Sequence, residues 1–296
     1  MSEFVARDYA LPVPSYGSKS RELYEFLHNE GRFEGLKTSL QIDTAIDQLR
    51  ERLMAPLYLK DELEAANDLP EIHSEITAMG DNIRQHVADL AYDPRENWQS
   101  AFAPQIRAAY FEPLVTAPYT ISKLDHMPTK NYHMRQMRDH LYGVSGELLQ
   151  VALEEFDAPN YSAEDRAGIL GVINELTAAS LLNRYPNSER VTLPAPTIAD
   201  AEEGTDLVFY AYVKRTCYTK NLQIKSSSFG SMRHASRFPD VQVIHMNDTH
   251  DINSNLHIAR LIVQELDGWP GLSAANTAEL DNAMQNIQDV AMQNIN

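Results

Sequence analysis

Apolar positions recur at three- and four-residue steps along most of the first half of the chain. Between Thr38 and Ala66 they fall on Leu40, Ile42, Ile46, Leu49, Leu53 and Leu57. That is the stripe of an amphipathic helix, which Pro56 should kink or break. A second stripe opens at Pro70 and runs through Ile72, Ile76, Met79, Ile83, Val87 and Leu90. A shorter helix is expected from Asp93-Pro94 through Trp98 and Phe102 until Pro104 interrupts, before a mixed region punctuated by Pro113, Pro118 and Pro128. Helical spacing returns from Tyr132 to Phe156, with Gly143 and Gly146 weakening its middle. Ahead of all these, residues 1–17 hold Pro12, Pro14 and Gly17 and read as an irregular arm, followed by a short capped helix with Leu23, Phe26 and Leu27.

The period changes after Asp157-Ala158-Pro159-Asn160. Ser162 offers a helix N-cap with Asp165 three residues on, close to a capping box, and the helix should reach Arg184. Val191-Thr192-Leu193 reads as a short strand, ended by Pro194 and Pro196, and an acidic loop leads to Gly204. Leu207 to Val213 and the approach to Ile224 are rich in aromatic and β-branched residues, so both read as strands. An antiparallel pairing of the two is expected to set Asp206 opposite residue 224, with its turn near Lys214-Arg215-Thr216. Phe229 to Phe238 could form a helical turn or two, Val241 to Ile244 a buried strand, and residues 254–268 a capped helix. A weak last helix repeats the phrase Ala-Met-Gln-Asn-Ile at 283–287 and 291–295, as a packing or dimerising tail would. These patterns divide the chain into a mainly helical region (1–157), an α/β core (158–268) and a helical tail (269–296). The stripes of the first region could pair as a helical hairpin or make a dimer surface.

Composition narrows the class. No apolar run approaches the ~18 residues of a membrane span, and the N-terminus lacks a basic segment followed by an apolar one, so no secretory signal is expected. A single cysteine, Cys217, excludes an internal disulfide and a cysteine-rich zinc cage, and a cytoplasmic location is the simplest. The net charge of −17 opposes a polyanionic partner, but the charge is uneven. From Gly204 to Arg237 the six basic residues Lys214, Arg215, Lys220, Lys225, Arg233 and Arg237 face Asp206 alone. From Phe238 onward eight acids face only Arg260. A basic island in an acidic chain suits a steered phosphate site, although chance clustering on a solvated hairpin would look the same.

Glu175 lies on the helical face of Gly168, Gly171, Val172, Ala179 and Leu182, where a helix can approach a sheet closely. A carboxylate there needs a cation or strong donors, an arginine partner being the plain alternative. Asp206 opens an apolar strand, a place that also suits a turn residue. Gln223 and Lys225 share one face of their strand and Ile224 the other. Taken together, two carboxylates, an amide oxygen and the Ile224 backbone carbonyl could supply the hard oxygen ligands Mg²⁺ prefers, with Lys225 beside a metal-bound water. A zinc site from His245, His250 and His257 with Asp248 and Asp251 has no standard spacing. Ser226-Ser227-Ser228 lacks a glycine-rich lead-in, and no Gly-x-Ser-x-Gly occurs.

Glu175, Asp206 and Gln223-Ile224-Lys225, in helix–strand–strand–strand–helix–strand order, resemble the PD-(D/E)xK restriction-endonuclease-like superfamily over about residues 162–266. The resemblance implies a mixed β-sheet core flanked by helices. It assigns Asp206, Gln223, Lys225 and Glu175 as catalytic, with Asp206, Gln223, Glu175 and Ile224 on one or two Mg²⁺ ions. Thr205 stands where the family has its proline, and Gln223 where it has a second acid, a change that removes a negative charge. Lys214, Arg215, Lys220, Arg233 and His234 are the expected phosphate contacts. The implied activity is Mg²⁺-dependent hydrolysis of DNA by a restriction or related defence endonuclease, expected as a homodimer on duplex DNA, with a possible cognate methyltransferase. A binding-only descendant of the fold and a helical scaffold protein are the alternatives.

Overall fold

A computed structural model of the chain describes residues 34–58, 62–88, 98–123, 130–158, 161–184, 190–213, 216–226 and 228–246. Among the described residues five helices come first: α1 (Glu34–Tyr58), α2 (Glu62–Ala88), α3 (Trp98–Ala109), α4 (Phe111–Lys123) and α5 (Lys130–Asp157). Then follow α6 (Ala163–Arg184), β1 (Arg190–Pro194), α7 (Thr197–Glu203), β2 (Leu207–Val213), β3 (Thr216–Lys225), α8 (Ser228–Arg237) and β4 (Gln242–His245). The fold is mixed α+β, largely helical, with a small four-stranded sheet in the order β1-β2-β3-β4. The first two pairings are antiparallel and β3–β4 is parallel, with α8 as the crossover between them. None of the described helices is long and apolar enough to cross a membrane.

The helical stripes predict elements well and their proline boundaries less well. The helix expected over 38–66 ends at Tyr58, two residues past Pro56, and α2 begins at Glu62 with Pro70 inside it rather than at its start. Pro104 lies within α3 and Pro118 within α4, where interruption was expected. An interior proline costs a helix about 3 kcal/mol. Tyr110, Phe111, Leu114, Val115 and Ile121 are buried along this segment, and fully burying each large apolar side chain returns roughly 1.5–3 kcal/mol, so packing outweighs the break. The residue between α3 and α4 keeps helical bonding, with Tyr110 N–H donating to the Ile106 carbonyl and Leu114 N–H to the Tyr110 carbonyl.

At the start of α6 the expected cap is present and reciprocal. Asp165 N–H donates to Ser162 Oγ at 3.1 Å, and Ser162 N–H to Asp165 Oδ2 at 3.2 Å. Beyond Ile169 this helix is buried almost all round, Thr177 and Ser180 included, so its described side chains leave no solvated face opposite Glu175. It packs on α5 and on the sheet. Asn183 ties its end to β1, accepting from Thr192 N–H at 2.9 Å and donating to the Thr192 carbonyl at 2.8 Å.

Val191, Leu193, Val208 and Tyr210 join Ile42, Ile46, Phe102, Phe111, Leu141, Ile169 and Val172 in one apolar core. The helical region and one face of the sheet therefore share a single interior. Leu207, Phe209, Leu222 and Ile224 are buried on the other face. The helices expected over 18–27 and 254–268 and the tail 269–296 lie outside the described residues.

Candidate functional site

Register decides what meets at the open end of β2. The β2–β3 ladder closes on Leu207↔Leu222, which sets Asp206 against Gln223. The expected register, with Asp206 opposite residue 224, is one residue off. A one-residue slip moves a side chain to the other face of the sheet, so that register would have parted Asp206 from Gln223 and Lys225. In the observed one they share the helix-covered face with Val208 and Tyr210. The Asp206 N–H donates to the Leu222 carbonyl and Ala195 N–H to the Asp206 carbonyl, both at 2.9 Å, which pins the residue between β1 and β3.

The Asp206 carboxylate is 8% exposed and Gln223 3%. Ile224 N–H donates to Asp206 Oδ2 at 2.6 Å, and the Gln223 amide Nε2 donates to both Asp206 oxygens. Burial pushes the Asp206 carboxyl up to about 7, with repulsion from Asp200 adding and with Lys225, the Ile224 N–H and Gln223 opposing. Glu175, half-buried on α6, is pushed well above the usual carboxylate range by burial first and then by the charges of Asp206 and Asp200; Lys225 and Arg107 pull the other way. No hydrogen bond or ion pair closes on its carboxylate among the described residues. The structure thus brings Glu175, Asp206, Gln223 and Lys225 to one side of the sheet, from α6, the start of β2 and the end of β3. Among the described residues, no group of three His, Cys, Asp or Glu side chains is placed to hold one ion.

Three further residues belong to this place and were missed in the sequence. Asp200 comes from α7, the short helix that stands where an acidic loop was expected, closed by Gly204 at φ +60°. Its side chain reaches solvent, yet desolvation by the protein around it raises its carboxyl, with the charges of Arg107 and Lys225 opposing. Arg107 of α3 and Asp43 of α1 form a buried ion pair at 3.2 Å. Asp43 Oδ2 accepts from Thr197 N–H at 2.8 Å, and Arg107 donates to Thr197 Oγ1 at 3.4 Å and to the Ala195 carbonyl. The signal for Asp43 was its place in the stripe with Ile46 and Arg50, both buried. For Asp200 it was a proline immediately before a possible first turn and a glycine just past its end.

The expected phosphate contacts divide. Lys220 is half-buried and falls on the opposite strand face from Lys225, beside Leu222. Arg233 is exposed on α8. His234 is buried instead of presented, tilted against Phe238 at 4.8 Å between ring centroids and beneath Gly204, where a Cβ would stand 2.2 Å from its Cε1. Burial, then the charges of Lys225 and Arg237, lower its pKa and so favour the neutral ring. Lys214 and Arg215 lie outside the described residues, as do Asp248, His250, Asp251 and His257 of the weak zinc pattern. No protein-family model, curated protein or solved structure matches the chain.

Proposed function

We propose that this chain is a Mg²⁺-dependent phosphodiesterase acting on DNA, an endonuclease of the PD-(D/E)xK restriction-endonuclease-like kind. One observation carries the proposal: Asp206, Gln223 and Lys225 share the sheet face on which the helix bearing Glu175 packs, and Gln223 is bonded to Asp206. The donors fit a hard dication. They are oxygens, and the repulsion among Glu175, Asp200 and Asp206 is a charge excess that such an ion offsets. Asp206 and Glu175 would hold it, with Gln223 through its amide oxygen and Ile224 through its carbonyl. The bound ion supplies Lewis acidity and lowers the pKa of water. Lys225 would stabilise the charge that grows on the non-bridging phosphate oxygens as water adds, giving its proton to solvent, and the P–O bond to the leaving sugar oxygen breaks, that oxygen taking a proton from solvent. A homodimer on duplex DNA, a cytoplasmic setting and a partner methyltransferase belong to the same proposal.

A second reading, a nucleic-acid-binding module without activity, is favoured by one feature. The Gln223 amide turns its nitrogen to both Asp206 oxygens and so occupies the place of a cation. Plasmid incubated with Mg²⁺ separates the two. Wild-type chain should nick or linearise it, and Asp206→Asn and Lys225→Ala should each lose at least about a hundredfold in rate. Wild type no faster than the variants ends the enzyme proposal, and salt-sensitive DNA binding in its place selects the module.

A further inference from the structure

Arg107 carries a donor group that no described residue uses. The residue is 6% exposed. Its Nε faces Asp43 Oδ1 and Thr197 Oγ1, and its Nη2 donates to the Ala195 carbonyl. Nη1 is buried and has no partner among the described residues. Leaving a buried donor unpaired is costly, more so when it is charged, so such a group calls for a partner. The anchors fix the guanidinium plane, unlike a surface arginine that must be ordered on binding. Ala195, whose carbonyl Arg107 holds, gives its N–H to the Asp206 carbonyl, which sets Arg107 beside the Asp206 end of β2, and its charge also bears on Glu175 and Asp200.

We propose that Arg107 is a phosphate-binding residue supplied to the site by the helical region, its free Nη1 edge taking a non-bridging oxygen of a bound phosphodiester. The proposal rests on the nuclease reading for the identity of the ligand and on the unpaired donor for its position. Beside Glu175 and Asp200 an anion is stable only together with a cation, so phosphate and dication bind jointly. A buried water at Nη1 would produce no dependence on either.

The test is thermal unfolding of the full chain in Mg²⁺, with and without inorganic phosphate, at ionic strength held constant with chloride. Wild type should be stabilised in a saturable way. Arg107→Lys keeps a charge opposite Asp43 but lacks the second guanidinium edge, and its apparent phosphate affinity should fall by about tenfold or more. Should that variant not fold, the double variant Asp43→Asn with Arg107→Gln removes both buried charges and serves the same purpose. On duplex DNA kept uncut in Ca²⁺, the double variant should also lower the slope of log affinity against log salt by about 0.9. A phosphate-insensitive wild type, or a folded variant with full phosphate response and unchanged slope, overturns the proposal. Phosphate protection that depends on Arg107 beside an intact plasmid keeps this site and removes the nuclease; plasmid cutting without phosphate response does the reverse.

Discussion

Asp206 stands between two demands, since its donors favour the charged carboxylate while burial and Asp200 disfavour it. The second demand wins, and the group is held at about 7 against a usual value near 4. The sign for stability follows. Between about pH 4 and about pH 7 the native chain binds a proton that the unfolded chain has released, so stability falls as pH rises through that window and levels off above it. Glu175 and Asp200, shifted in the same direction, add to the slope. Urea unfolding in chelator should therefore show a loss of up to a few kcal/mol from pH 5 to pH 8, and Asp206→Asn should flatten it. An Asn variant with the wild-type slope would remove Asp206 as its source. Gln223→Glu tests the amide. It replaces a donor to Asp206 by a third or fourth negative charge, so stability in chelator at pH 8 should drop by about 2 kcal/mol or more, while Mg²⁺ should restore more stability than it adds to wild type. Equal Mg²⁺ response in the two proteins sinks that idea. At this scale the strand period put Gln223 and Lys225 on one face, and the small-residue face of the helix marked Glu175. The expected register left Asp206 on the other face, so its meeting with them was not legible. Asp43 and Arg107 were not legible, since their meaning depends on helices meeting a loop 154 and 88 residues away.

Among the elements, α7 is the one the sequence concealed. Seven residues carry too little periodicity to separate a turn of helix from an acidic loop, yet this turn sets Asp200 against Asp206. Its end depends on Gly204, at φ +60° and directly over His234. Gly204→Ala must adopt a left-handed conformation costing roughly 1–2 kcal/mol and also displace the imidazole ring. Chemical denaturation should register a loss above about 2 kcal/mol; a loss within a few tenths would mean that α7 and α8 move apart freely. The junction of α6 and β1 is equally specific. Asn183→Leu keeps volume but leaves Thr192 N–H and C=O unpaired in a buried place, at about 2–4 kcal/mol. Amide exchange at Thr192 should accelerate with that loss, and unchanged protection would contradict the role given to Asn183. The strands themselves were legible from aromatic and β-branched runs, whereas their register was not. Hydrophobic pattern alone left a one-residue ambiguity that the Asp206–Leu222 backbone bond resolves.

For the molecule as a whole, the helix and strand periods divided the chain into a mainly helical region and an α/β core, and the described parts of both pack into one interior. Ile42, Ile46, Phe102 and Phe111 share one interior with Val191, Leu193, Val208 and Tyr210. The junction is also polar, since Asp43 accepts from Thr197 N–H and Arg107 reaches Ala195. No sequence period reports this, because each stripe shows which face is buried and not what buries it. Separating the halves would expose the sheet's inner face and strand the buried Asp43–Arg107 pair from the loop it holds. A fragment covering residues 158–296 should then lack a cooperative thermal transition, while the full chain unfolds with one; β1 and α7 should be the first segments to lose amide protection. Adding residues 1–157 in trans should restore the transition if the shared core is what the fragment lacks. A fragment that melts sharply by itself, near the full chain's temperature, would show that the α/β part folds independently. The helical region would then be an attachment to the site instead of part of its wall.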